Sequence, residues 1–106
     1  MSNLSSTEAL DLLKEGNARF TSDRLQHNKQ DSERRTQLSQ GQHPYAIILS
    51  CADSRVIPEV TFDTGLGELF VVRVAGNIAN TSSIASIEYA VANLDVKLIA
   101  VMGHEI

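Results

Sequence analysis

Apolar positions in the first twenty residues recur at helical spacing: Ala9, Leu12, Leu13, Gly16 and Phe20 form one stripe of an amphipathic helix. Ser5 and Glu8 stand three apart at its start. That is the spacing of a capping box, in which each side chain satisfies an orphan N–H of the first turn. The pattern predicts a helix over residues 5–21, whose stripe needs a partner surface in this chain or in a neighbouring subunit. Residues 22–42 then turn polar, with only Leu25 and Leu38 apolar. They read as a solvated connector with one short helix at about 32–40, stopped by Gly41. Their mixed charges read as a wet surface rather than a binding patch.

From Pro44 onward the pattern changes. Residues 45–50 (Tyr-Ala-Ile-Ile-Leu-Ser) are a short apolar run without polar alternation, as expected of a strand buried on both faces. Residues 69–74 and 98–102 repeat that texture, the last ended by Gly103. Between them, residues 58–63 suit a short helix with Pro58 in its first turn. Ser82 or Ser83 is placed to cap a second helix reaching about Asn93, with Ile84, Ile87, Val91 and Leu94 on one face. Strand, crossover, strand, helix, strand predicts an α/β fold with a parallel sheet and right-handed connections. The chain divides into a helical arm with its connector, 1–43, and an α/β part, 44–106, within one domain.

Composition narrows the function classes. The 106 residues are 42% hydrophobic and 21% charged, which is ordinary for a globular protein and unlike a disordered one. Nine basic against thirteen acidic residues leave a net charge of −4, the wrong sign for a nucleic-acid surface. No apolar run approaches the ~20 residues of a membrane span. The polar start Met1-Ser2-Asn3 lacks a signal peptide's apolar core, so a cytoplasmic protein is expected. A single cysteine excludes an internal disulfide framework. Cys51 is left to packing, metal binding or reactivity.

In open parallel sheets, ligands bind beyond the carboxyl ends of the strands. Cys51-Ala52-Asp53-Ser54-Arg55 directly follows the first strand, Gly76-Asn77 follows the second, and Gly103-His104 follows the third. If the first and third strands are neighbours, the Cys51 thiol and the His104 imidazole open into one crevice, where they suit a zinc ion. Taken alone, Cys51 is equally a small buried hydrophobe. Asp53 and Arg55 are either a local ion pair or a carboxylate kept ionised to accept a proton or hydrogen bond. Asp63-Thr64-Gly65 reads as a turn, and Gly65-x-Gly67 precedes a strand rather than a helix, so it is not a nucleotide fingerprint.

Several segments together carry a resemblance. Leu13-x-x-Gly16-Asn17-x-Arg19-Phe20, Cys51-x-Asp53-x-Arg55-Val56, the stretch 67–77 (Gly-Glu-Leu-Phe-Val-Val-Arg-Val-Ala-Gly-Asn), Ile87-Glu88-Tyr89-Ala90-Val91 and Gly103-His104 resemble, in order and spacing, the β-class carbonic anhydrases. The resemblance implies a zinc lyase (carbonate dehydratase) that interconverts carbon dioxide and bicarbonate as a homodimer or higher homo-oligomer. It implies that Cys51 and His104 are zinc ligands. Asp53 and Arg55 correspond to a dyad in which the carboxylate either pairs with the arginine or turns onto the metal. Gln42 corresponds to a substrate-binding glutamine, and Phe70 and Tyr89 to residues lining a carbon dioxide pocket built across the dimer interface. The first helix corresponds to an arm that embraces the neighbouring subunit.

The family's further zinc ligand is a cysteine three residues after the histidine, in a Gly-His-x-x-Cys-Gly pattern. Here Gly103-His104-Glu105-Ile106 ends the sequence one residue before that position. The expectation is that these residues correspond to the first half of a family domain. The alternative expectation is a shortened, catalytically inactive module kept for assembly or regulation.

Overall fold

A computed structural model describes residues 3–105. Helix α1 spans Ser6–Thr21, and Ser5 and Glu8 close the expected capping box. Its stripe is divided. Ala9 and Leu13 are buried against the sheet, whereas Leu12 and Phe20 remain 38% and 40% exposed. Gly16 lies at the closest approach of α1 to the next part of the chain, where a Cβ would fall 1.8 Å from the Phe62 carbonyl oxygen. Only glycine admits that contact.

Helix α2 covers Ser32–Gln37 and continues as a single 3-10 turn, Leu38–Gln40, before Gly41. Strand β1 is Ala46–Ser50, α3 is Pro58–Thr61 with Pro at its start, β2 is Leu69–Arg73, α4 is Thr81–Asn93 and β3 is Ile99–Met102. The sheet is parallel, in the order β2-β1-β3. Every residue of β1 is buried, as its unbroken apolar run requires of a central strand. Ala46 and Ile48 face α1, where they pack with Ala9, Leu13 and Tyr45. Ile47 faces α4, with Ala90 and Val96. Burying each isoleucine contributes about 2 kcal/mol, so this strand anchors both layers.

Helix α4 departs from the sequence expectation. Its cap is Asn80, not Ser82 or Ser83. The Asn80 side chain accepts the Ser83 N–H, and Ser83 Oγ accepts the Asn80 N–H. The buried stripe is Ser83 and Ala90, with Ile87 and Leu94 half-buried, while Ile84 and Val91 are 43% and 47% exposed. Asn80 starts the helix earlier, and packing of Ile87, Ala90 and Leu94 on Ile47 and Val96 sets which face is buried. Ser83 lies on that side, where its hydroxyl donates to the Ile78 or Asn80 carbonyl.

The connector is exposed, as its polarity predicts, but it is also tethered. Asp63, buried in the turn after α3, accepts from Arg19 Nε at 2.6 Å and from the backbone N–H groups of Gln26 and His27. Farther on, Leu66 N–H donates to the Lys29 carbonyl and Arg34 Nε to the Leu66 carbonyl. The Asp63-Thr64-Gly65 turn is therefore the knot tying α1 and the connector to the α/β part.

Candidate functional site

Strand register gathers the chemistry. Ser50 pairs with Arg73 on one side and Met102 on the other, so three strands end level and their following loops share one edge. This meets the condition that β1 and β3 be neighbours. Cys51 lies immediately beyond β1 and is 8% exposed. Its Sγ accepts the Gly76 N–H at 3.2 Å and the Asp53 N–H at 3.4 Å. The Gly76 amide is aimed at the sulfur by a 3-10 turn, Ala75–Asn77, in which Gly76 takes φ 75°. An L side chain adopts that conformation only with strain.

Hydrogen bonds from the Gly76 amide, the His104 imidazole and the Asp53 amide lower the Cys51 thiol to about 7, against burial, which pushes it up. His104, exposed just past β3, is raised above its ordinary value, first by its hydrogen bond with Cys51 and then by the Glu105 carbonyl. Its Nδ1 sits 2.8 Å from that carbonyl oxygen. A carbonyl only accepts, so Nδ1 carries a proton there.

Asp53 is held in a fork. Arg55 Nε donates to Oδ1 at 3.0 Å, Nη2 donates to Oδ2 at 2.7 Å, and the Arg55 backbone N–H donates to Oδ1 at 2.8 Å. The Arg55 side chain, then its amide, hold this carboxyl well below the usual carboxylate range. A carboxylate offers about four lone-pair sites, so three donors leave one acceptor position open on Oδ2.

A thiolate sulfur and an imidazole nitrogen are donors that zinc accepts in tetrahedral sites. The pair Cys51 and His104 fits such an ion by donor chemistry. Among the described residues, no group of three His, Cys, Asp or Glu side chains converges as a complete ligand set. Asp53 stands beside the pair but is committed to Arg55.

The remaining candidates lie elsewhere. Phe70 and Tyr89 form a tilted ring pair, centroids 6.2 Å apart, between β2 and α4. Gln42 precedes β1 and so occupies the end of the sheet opposite Cys51, five strand residues or about 16 Å away along β1. There it lines a cleft of about 630 Å³ with Asn3, His43 and Asp95. A single chain does not bring Gln42 to Cys51. Arg73, given no role on sequence grounds, reaches back to the 51–56 loop. Its Nε donates to the Cys51 carbonyl at 2.9 Å, and its Nη2 to the Asp53 carbonyl at 2.7 Å and the Val56 carbonyl at 3.3 Å. The signal for it was a lone charge at the end of an otherwise apolar strand.

A family model described as Carbonic anhydrase matches residues 46–106, more than half of the sequence. The chain belongs to the carbonic anhydrase family. It is 50% identical over 105 residues to Carbonic anhydrase 2 of Mycobacterium tuberculosis, an alignment covering 99% of this chain and 51% of that protein. Among solved structures it is similar to the β-carbonic anhydrase CcaA, at 36% identity and TM-score 0.65, covering 91% of this chain and 48% of that one. It is also similar to tetrameric β-carbonic anhydrases of the ascomycete Sordaria macrospora, at 28% identity and TM-score 0.62, covering 89% and 48%. The fold is that of the β class. The chain spans about half the length of the curated relatives it matches.

Proposed function

We propose that the protein to which this chain belongs catalyses the reversible hydration of carbon dioxide to bicarbonate, with zinc held by Cys51 and His104. The observation that carries this reading is the convergence of a thiol and an imidazole from adjacent strand ends beside a carboxylate fixed by arginine. Zinc, when bound, polarises water so that a nucleophile is available near neutral pH.

The chain's own residues have distinct tasks. The Gly76 and Asp53 amides favour the thiolate form of Cys51, the form that ligates metal. The Glu105 carbonyl orients the His104 ring, as an outer partner does for a ligating histidine. Arg55 keeps Asp53 ionised, and the open acceptor position on Oδ2 orients an attacking water or hydroxyl by taking its hydrogen bond. In this reading Asp53 stays with Arg55 and is not the ligand.

The protein acts as a homo-oligomer. Gln42 reaches a substrate beside Cys51 only from a second subunit, and half-buried Phe70 with exposed Tyr89 supplies an apolar wall at the same interface. The Sordaria relatives are tetrameric. We place the enzyme in the cytoplasm. That placement is supported by the buried free thiol of Cys51, a state that a reducing compartment maintains.

The test is stopped-flow carbon dioxide hydration by the full-length protein, with metal analysis. We expect about one zinc per subunit, lost together with activity in Cys51→Ala and His104→Ala. Full activity in either metal-depleted variant overturns the reading.

A further inference from the structure

We infer that Arg73 is a positioning residue, the brace that sets the 51–56 loop and through it the direction of the Asp53 carboxylate. This inference rests on the carbonic anhydrase reading above. The geometry is specific. One guanidinium donates to the carbonyls of Cys51, Asp53 and Val56, the first, third and last residues of the loop. Those carbonyls would otherwise point from a short irregular segment with few partners of its own. Within the loop, the Val56 N–H donates to the Asp53 carbonyl at 3.2 Å, which closes a turn on the same oxygen that Arg73 holds. Arg73 is the terminal residue of β2, in register with Ser50, so its backbone is fixed by the sheet. Its side chain thus refers the loop to the sheet edge. Three residues further on, the same chain segment sends the Gly76 N–H to Cys51 Sγ. The end of β2 therefore fixes the loop on both its backbone and its sulfur.

Three acceptors spread along a loop need a forked donor. A planar guanidinium meets them from two nitrogens, Nε on the Cys51 carbonyl and Nη2 on those of Asp53 and Val56, whereas an ammonium offers a single centre on a shorter reach. Charge and fork are thereby separable by Arg73→Lys. The effect on chemistry follows from alignment, since small displacements of an orienting group are costly in rate while substrate affinity is little altered.

The experiment compares the full-length, zinc-loaded wild type with Arg73→Lys, and with Arg34→Lys as a control that removes a guanidinium–carbonyl bond far from the site. Arg73→Lys is expected to keep its zinc and its thermal midpoint within a few degrees, and to lose roughly tenfold in kcat with KM changed less than twofold. Amide exchange at Arg55 and Val56 in the metal-free protein is expected to accelerate roughly tenfold, as the loop opens more often. The control should match wild type in every measurement. Wild-type kcat and exchange in Arg73→Lys would show that charge alone suffices and overturn the inference, as would general unfolding or loss of zinc. If the wild type itself does not hydrate carbon dioxide but the exchange difference stands, the function reading fails and the brace survives.

Discussion

The backbone N–H of Gly76 points at the Cys51 sulfur from 3.2 Å, joining the loop after β2 to the loop after β1. It heads the contacts that lower the thiol to about 7. In the metal-free protein, alkylation of Cys51 by a small reagent is expected to follow a midpoint near 7 rather than the ordinary thiol value of 9.0. Gly76→Ala places a side chain at φ 75°, a strain of about 1–2 kcal/mol. Relaxation of the turn should then move the midpoint upward. An unchanged midpoint in a folded variant would count against the contact.

The sign of the pH effect follows from the directions. A thiol depressed by folding stabilises the protein above its unfolded value and loses that contribution as pH falls through about 7. His104 is raised, so its contribution is present below the unfolded imidazole value of 6.5 and lost as pH rises through the folded value. The stability gap between metal-free wild type and Cys51→Ser should therefore narrow from pH 9 to pH 6, read as the difference in thermal midpoints.

Asp53→Asn preserves shape but removes the charge that Arg55 grips through both oxygens. Loss of a positioned acceptor predicts a fall of about 100-fold in carbon dioxide hydration. Arg55 is largely exposed, and exposed ion pairs add little to stability, so the thermal midpoint should barely move. A variant retaining wild-type kcat would remove Asp53 from the mechanism.

Asp63 carries the structural counterpart. Burial pushes its carboxyl up, but Arg19 and the amides of Gln26 and His27 overcome that and leave it lowered. Its contribution is complete above the unfolded carboxylate value of 3.8 and declines as pH falls below it towards the folded value. Asp63→Ala leaves the Arg19 charge and two amides without their acceptor, a loss of about 3 kcal/mol at neutral pH. Urea unfolding at pH 7 and pH 3 measures both, and the variant should be the less pH-dependent protein.

Ile99 and Val101 of β3 are 49% and 64% exposed, and among the described residues β3 pairs on one side only. Exposed apolar strand edges recruit partners. Residues 1–106 expressed alone should self-associate, and Val101→Lys should reduce this in sedimentation velocity. A concentrated wild-type segment that stays monomeric contradicts it.

Much of this was legible in residues near one another along the chain. The Ser5–Glu8 box, the unbroken run of β1 and the reactive positions beyond each strand depend on spacings of a few residues, where periodicity and capping act. The fold class followed once three apolar runs implied one parallel sheet, whereas the shared crevice of Cys51 and His104 depended on β1 and β3 being neighbours, which only the packed sheet decided. Other features were invisible because their partners lie 17 to 44 residues apart: Arg73 on the carbonyls of Cys51, Asp53 and Val56, and Asp63 on Arg19. Gln42 shows the same division from the other side. The family resemblance implied a substrate contact for it, yet the direction of β1 sets it at the far end of the sheet from Cys51. Local chemistry can be read from neighbours in sequence, but which distant carbonyl a guanidinium meets depends on strand order and register, and these exist only once the chain has packed.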